Sequence, residues 1–235
     1  MNISMTRIQA IFMKDYKEFS RNYAVSIMVL LPLILAVGYN ITGASDIQTY
    51  MMPINMTFAL VTAYVQCCLI AEEKEKNTLR SLMLSPASLG DILVGKSLFV
   101  FVLSSAVVAL TIYLLGYEPA NLLLLSIALL LSTIFYIAIG TFCGLFTKTI
   151  MEASIIILPV MVIFTVGPFA FAMSEVYPIF QIAEWLPSSQ LNLLAEALEG
   201  NYSSTDVIIP FVTITAWTLF TWLVTAFVYK KRMVD

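Results

Sequence analysis

The sequence predicts an all-α integral membrane protein with six transmembrane helices, on three observations. Of its 235 residues, 60% are hydrophobic and only 11% are charged, with a mean hydropathy of +0.91. A soluble domain is roughly 45–50% apolar and about 25% charged, and a water-facing globule of this length cannot bury the excess. The charges are also clustered. Six charge-free runs of at least twenty-one residues stand out: 22–45, 47–71, 97–117, 119–147, 153–174 and 207–229. A helix needs about 20 apolar residues to cross a bilayer core of roughly 30 Å, so each run crosses once. The runs lack the alternation of barrel strands, which leaves helices as the spanning form. Finally, with six spans all twelve Lys and Arg fall on one side.

That third observation sets the expected topology. Arg7, Lys14, Lys17 and Arg21 precede the first span. Lys74, Lys76, Arg80 and Lys96 lie between or beside spans two and three, Lys148 follows span four, and Lys230, Lys231 and Arg232 follow span six. The opposite loops hold Asp46, Glu118, Glu175, Glu184, Glu196, Glu199 and Asp206 and no basic residue. The positive-inside rule therefore puts both termini in the cytoplasm of a multi-pass plasma-membrane protein. The acidic outer face either attracts a cationic ligand or is the complement of this sorting.

The elements follow in order along one transmembrane domain, 1–235. In segment 1–21, Met5, Ile8, Phe12, Tyr16 and Phe19 recur at helical spacing among Arg7, Lys14, Lys17 and Arg21. Such a helix is expected to lie in the membrane interface with its apolar stripe toward the acyl chains. Spans are expected at about 22–42, 50–71, 92–116, 121–146, 152–174 and 207–229. The first is too long and too far from the N-terminus for a cleavable signal, and no convincing small-residue cleavage site follows it. Span two runs into Glu72, Glu73, Lys74, Glu75 and Lys76, and segment 78–84 can form a short helix with Leu79, Leu82 and Met83 on one side. Ser85-Pro86 stops it, because proline disfavours a helical residue before it. This segment, 72–88, suits contact with another cytoplasmic surface, or is a solvated loop. Between spans five and six, 175–206 is too apolar for a plain loop and too short to cross. It is expected to form two short helices split at Pro187 that re-enter the outer leaflet, with Gly200 as a C-cap.

Several function classes fall away. Histidine is absent, which removes Ser–His and Cys–His catalysis and histidine-ligated zinc. Intramembrane proteases and lipid phosphatases that need histidine, or paired carboxylates within the bilayer, are excluded with them. Cys67, Cys68 and Cys143 lie in apolar runs and are expected to pack as small apolar residues. Gly90-Asp91-Ile92-Leu93-Val94-Gly95-Lys96-Ser97 fits the phosphate-binding pattern G-x-x-x-x-G-K-[ST]. It precedes a transmembrane helix, and no parallel sheet can be built around it, so it is rejected. Lys96 is instead expected to snorkel from the end of span three. No charged residue lies near the middle of a span, which argues against an ion-coupled secondary transporter. Asn55, Thr62 and Gln66 are spaced by seven and four, so an α-helix places them on one face. There they line a path or bond neighbouring helices. Gly140 and Gly144 permit close helix approach, within the subunit or at a dimer interface.

Taken together, the chain resembles the membrane subunit of an ABC transporter of the type-2 exporter class. The most specific stretch runs from Ala71-Glu72-Glu73-Lys74-Glu75-Lys76-Asn77-Thr78-Leu79 through Leu82, Ser85-Pro86 and Ile92-Leu93-Val94-Gly95-Lys96. It is similar to the family's glutamate-rich "EKE-x-G-T-L", "SP" and "LLGK" pattern, with Asn77 where Gly is usual and Arg80 where an acidic residue is common. Asn tolerates a left-handed turn better than most residues. The resemblance implies that Glu72, Glu73, Lys74, Glu75, Lys76, Asn77, Thr78, Leu79 and Leu82 form the coupling segment that docks on a separate cytoplasmic ABC ATPase. ATP and Mg would be bound there and no cofactor by this chain. It also implies a second permease subunit, identical or related, and an outer gate, here placed at Trp185, Pro187 and Leu191. The implied function is prokaryotic ATP-driven export of a hydrophobic or amphipathic drug, antimicrobial peptide or lipid-like molecule. A polysaccharide-type export permease and an ion-coupled secondary transporter are the alternatives.

Overall fold

A computed structural model describes residues 5–43, 46–76, 89–200 and 202–232, and the side chains of all of these except 89–93 and 230–232. The described residues form helices and no strand. Helix α1, Met5–Arg21, precedes α2, Tyr23–Thr42, and α3, Ile47–Glu75. Then come α4, Leu89–Leu115; α5, Leu122–Phe146; and α6, Ile150–Ala172. A 3₁₀ helix, Pro178–Trp185, leads to α7, Pro187–Glu199, and α8, Ser204–Arg232. Six of these, α2 to α6 and α8, are long and apolar enough to cross a membrane.

Helix α3 is the axis of the bundle. Its most apolar stretch is 94% buried, against 17% for α2 and 22% each for α6 and α8. Those three therefore leave most of their apolar surface for lipid or for another subunit. The close packing around α3 depends on glycine. A Cβ at Gly140 would collide with the Ala63 carbonyl oxygen, and one at Gly144 would come within 2.9 Å of Ile70 Cβ. The Gly140/Gly144 pair thus seats α5 on α3 within one subunit. Cys67, Cys68 and Cys143 are free and buried. Aromatic rings fill the middle: Phe58 stacks on Tyr136 at 5.3 Å, and Phe135 meets Phe164 and Trp217 edge-on.

Two expectations are corrected here. The apolar stripe of α1 turns onto α4 rather than toward acyl chains. Ile8 and Ile11 are buried, and Phe12, Tyr16 and Phe19 surround Phe99 at 5.6, 6.5 and 5.6 Å, although Met5 stays exposed. Gly95 makes this possible, since a Cβ there would sit 2.9 Å from Ile11. The second correction concerns α3, where Phe58–Tyr64 is a π-helix. The wider turn rotates later side chains relative to earlier ones. Asn55, Thr62 and Gln66 consequently meet three different neighbours instead of sharing one face. The segment between α6 and α8 does form two short helices meeting at Pro187, which takes the first helical position of α7. Gly200 ends α7 in an extended conformation, its N–H bonded to the Ala197 carbonyl.

Candidate functional site

The charged run that ends α3 is a structural junction. Successive helical residues point about 100° apart, so Glu73, Lys74 and Glu75 reach three different neighbours. Glu73 is fully buried and faces α4 and α1. Its Oε1 lies 3.0 Å from Lys96 Nζ and 2.7 Å from Lys14 Nζ. Lys96 Nζ also approaches Asp15 Oδ1 at 3.4 Å and the Leu69 carbonyl at 3.4 Å. Lys14 reaches Glu18 at 3.2 Å. Two lysines thus balance Asp15 and Glu73, both fully buried, as buried charge requires.

Lys74 turns to α5. Its ammonium donates to the carbonyls of Leu145, Gly144 and Thr147 at 2.6, 3.0 and 3.1 Å, at the negative end of the helix dipole. Glu75 turns to α6 and accepts the Ile150 N–H at 2.9 Å, at the positive end of the next helix. One lysine and one glutamate therefore satisfy both sides of the tight α5–α6 turn. One residue on, Lys76 pairs back to Glu72.

The protonation states follow this geometry. Burial, with help from Glu73 and Glu18, pushes the Asp15 carboxyl from its ordinary 3.8 up to about 6, against the pull of Lys96 and Lys14. Burial works against the charge of Lys14, but Glu73, Glu18 and Asp15 together outweigh it and raise its pKa. The bond to Glu72 raises that of Lys76.

The structure corrects the expectation for Lys96. It does not snorkel; it is 2% exposed and sits inside this cluster. Residues 90–97 lie within α4, so the phosphate-loop pattern has no loop. Of the expected coupling residues, Glu72 and Glu73 are buried, Lys74 and Glu75 brace helix ends, and Lys76 is exposed. Asn77, Thr78, Leu79 and Leu82, and with them the expected short helix at 78–84, lie outside the described residues. Asp15 is a further member of the cluster, and its place is legible in the sequence. With Ile8 and Ile11 it falls at i, i+3 and i+7, on the buried side of α1.

The polar residues of α3 are each bonded across the bundle. Asn55 donates to Asn192 Oδ1 on α7 at 2.7 Å, Thr62 to Ser104 on α4 at 2.9 Å, and Gln66 to Thr141 on α5 at 2.9 Å. Of these partners, Asn192 and Thr141 have no visible role in the sequence. Of the expected gate residues, Trp185 on the 3₁₀ helix is exposed, while Pro187 and Leu191 on α7 are buried. The Trp185 carbonyl accepts the indole N–H of Trp217 at 2.8 Å, which ties the 3₁₀ helix to α8.

The acidic end is built differently. Gly116, at φ +65°, makes the turn after α4. Glu199 then clasps that hairpin through the Tyr117 hydroxyl at 3.0 Å and the Ala120 N–H at 3.4 Å. A separate cavity of about 330 Å³, walled by α7 and the start of α8, is lined by Glu184, Gln190, Glu196, Thr205 and Asp206 among apolar residues. Among the described residues, no cluster of ligands fit for a metal ion occurs.

An all-helical bundle of six apolar helices, with a charged junction just ahead of residue 77, frames the comparison with known proteins. A family model described as ABC-2 family transporter protein matches residues 43–228. The chain belongs to the ABC-2 transporter permease family. No curated protein matches it. The match extends from the start of α3 almost to the end of α8, so the junction and the short helices before α8 are parts of a permease domain. An ABC-2 permease is a membrane transport component without a nucleotide-binding domain, and family membership implies an associated ATPase subunit.

Proposed function

We propose that this ABC-2 permease is the membrane half of an ATP-driven exporter, paired with a second permease subunit and driven by a separate cytoplasmic ATPase that holds ATP and Mg. The observation that carries the proposal is the junction at 72–76, which ties α3 to α1, α4, α5 and α6 directly ahead of segment 77–88. A push on that segment is delivered to a rigid, charge-paired block rather than to one helix. The basic end faces the cytoplasm, with both termini on that side. In this reading Asn77, Thr78, Leu79 and Leu82 make the docking contact, and Glu72 to Lys76 transmit it.

Transport then follows alternating access, in which the ATPase cycle shifts the balance between inward- and outward-open arrangements. The path is assigned to the helix contacts that Asn55, Thr62 and Gln66 bridge, whose single bonds to three helices can be exchanged as those helices rock. The outer gate is assigned to the 3₁₀ helix and α7, around Trp185, Pro187 and Leu191. Charge-free spans and the acidic cavity at the exit suit an amphipathic cargo, such as a drug or antimicrobial peptide, that carries positive charge.

A photo-crosslinking residue placed at 79 or 82 in cells tests this directly. Capture of a cytoplasmic ABC ATPase from those positions, and none from position 118 at the acidic end, is the expected result. Capture from 118, or no ATPase from either coupling position, contradicts it.

A further inference from the structure

A cavity of about 670 Å³ lies where α1 meets the end of α3. Lys14, Lys17, Arg21 and Lys76 line it, together with Glu18 and Glu72. The lining therefore carries two more cations than carboxylates. The surplus is identifiable. Lys14 is engaged with Glu73 and Glu18, and Lys76 with Glu72. Lys17 and Arg21, one turn apart on α1, are exposed and make no ion pair among the described residues.

The cleft also has a direction. Asn22 breaks the helix after Arg21, and its side chain caps the start of α2 by accepting the Val25 N–H. Arg21 and Tyr23 are thereby set together on the cavity wall, with Tyr23 83% exposed at its rim. From there α2 presents Ile27, Leu30, Leu31 and Ile34, all exposed. A basic pocket, an exposed tyrosine and a continuous apolar strip form the sequence of environments that a phospholipid offers: phosphate, interface and acyl chain.

We propose that this cleft binds an anionic phospholipid, its phosphodiester between Lys17, Arg21 and Lys76 and its acyl chains along the exposed face of α2. Glu18 and Glu72 hold Lys14 and Lys76 in place and leave the unpaired charge on Lys17 and Arg21 for the headgroup. A bound lipid bridges α1 and the end of α3, next to the Asp15–Lys96–Glu73 cluster. The proposal does not rest on the export reading, since the cleft and its charges belong to the chain alone.

The test is native mass spectrometry of the purified full chain in mild detergent, with phosphatidylglycerol or phosphatidylcholine added at equal concentration. The expected result is one phosphatidylglycerol retained per chain in preference to phosphatidylcholine. K17Q/R21Q is expected to weaken that retention about tenfold, equivalent to about 1.4 kcal/mol, while K17R/R21K keeps it. Both side chains are exposed, so an unchanged gel-filtration profile is expected for each variant. Equal retention of the two lipids, or no change in K17Q/R21Q, overturns the proposal. Displacement of the lipid by millimolar inorganic phosphate would mark a free-phosphate site and overturn it as well. So would loss of a co-purifying protein from K17Q/R21Q with lipid retention unchanged, which would mark a protein-docking surface.

Discussion

Replacing Lys96 with Met probes the ionic core where the structure and the plain sequence reading diverge most. The Lys96 side chain is 3% exposed and lies 3.0 Å from Glu73 and 3.4 Å from Asp15, both fully buried. Methionine fits the volume but removes the charge. Glu73 keeps Lys14 at 2.7 Å, whereas Asp15 keeps only a distant approach to Lys14 at 3.9 Å. Removing one partner of a buried ion pair typically costs about 3–5 kcal/mol. The lower end applies here because Glu73 retains a partner, so K96M is expected to lose about 3 kcal/mol. The double variant D15N/K96M removes the stranded charge and is expected to recover about 2 kcal/mol of that loss. Reversible unfolding in mixed detergent and SDS, followed by tryptophan fluorescence, measures both. A loss below about 1 kcal/mol for K96M, the size of an exposed ion pair, would refute the buried cluster and restore a snorkelling lysine.

Other expectations follow from the same geometry. Lys74→Met strips the ammonium from three carbonyls at the end of α5 and should cost about 2–4 kcal/mol in the same assay; Lys74→Arg should recover part of it. Gly140→Ala drives a Cβ into the Ala63 backbone and should cost about 1–3 kcal/mol, with Gly38→Ala, where the added Cβ meets nothing, as the neutral control. Asn192→Leu leaves the Asn55 amide without its partner and should cost about 1–3 kcal/mol, largely recovered in Asn55→Leu/Asn192→Leu. Asp15 supplies a pH test. Its folded pKa of about 6 lies above the ordinary 3.8, so the folded state takes up its proton first. The stability from this group is therefore full below about pH 4 and lost as pH rises through about 6. D15N lacks that slope, and its stability relative to the parent should rise by about 2 kcal/mol between about pH 4 and pH 7. A constant difference across that range would contradict the placement of Asp15.

Much of this was legible in the sequence because spanning helices are governed by one strong rule, the absence of charge over about 20 residues. Runs such as 119–147 and 207–229 leave little freedom. The split at Pro187 was equally readable, since proline fixes the start of a helix. Tertiary partners were not. Nothing local tells Glu73 to meet Lys96 and Lys14, or Lys74 to brace α5, because each contact joins residues on different helices that lie far apart along the chain. The charge run after span two therefore read as a docking surface when its buried members hold the bundle. The π-helix at Phe58–Tyr64 was also invisible, since no proline, glycine or capping residue marks it; it re-aims Asn55, Thr62 and Gln66 at three helices. Asp15 was the one misread local signal, an acid on the face where the buried residues of α1 gather.

The most direct test of the central claim is gentle affinity purification of the tagged chain from its native membranes, with the co-purifying proteins identified and their ATP hydrolysis measured. The expected result is a stoichiometric cytoplasmic ABC ATPase whose hydrolysis is retained in the complex. Substitution of Leu79 and Leu82 is expected to lose the ATPase while the folded bundle survives. A chain that purifies alone and moves solute under an ion gradient without ATP would contradict it.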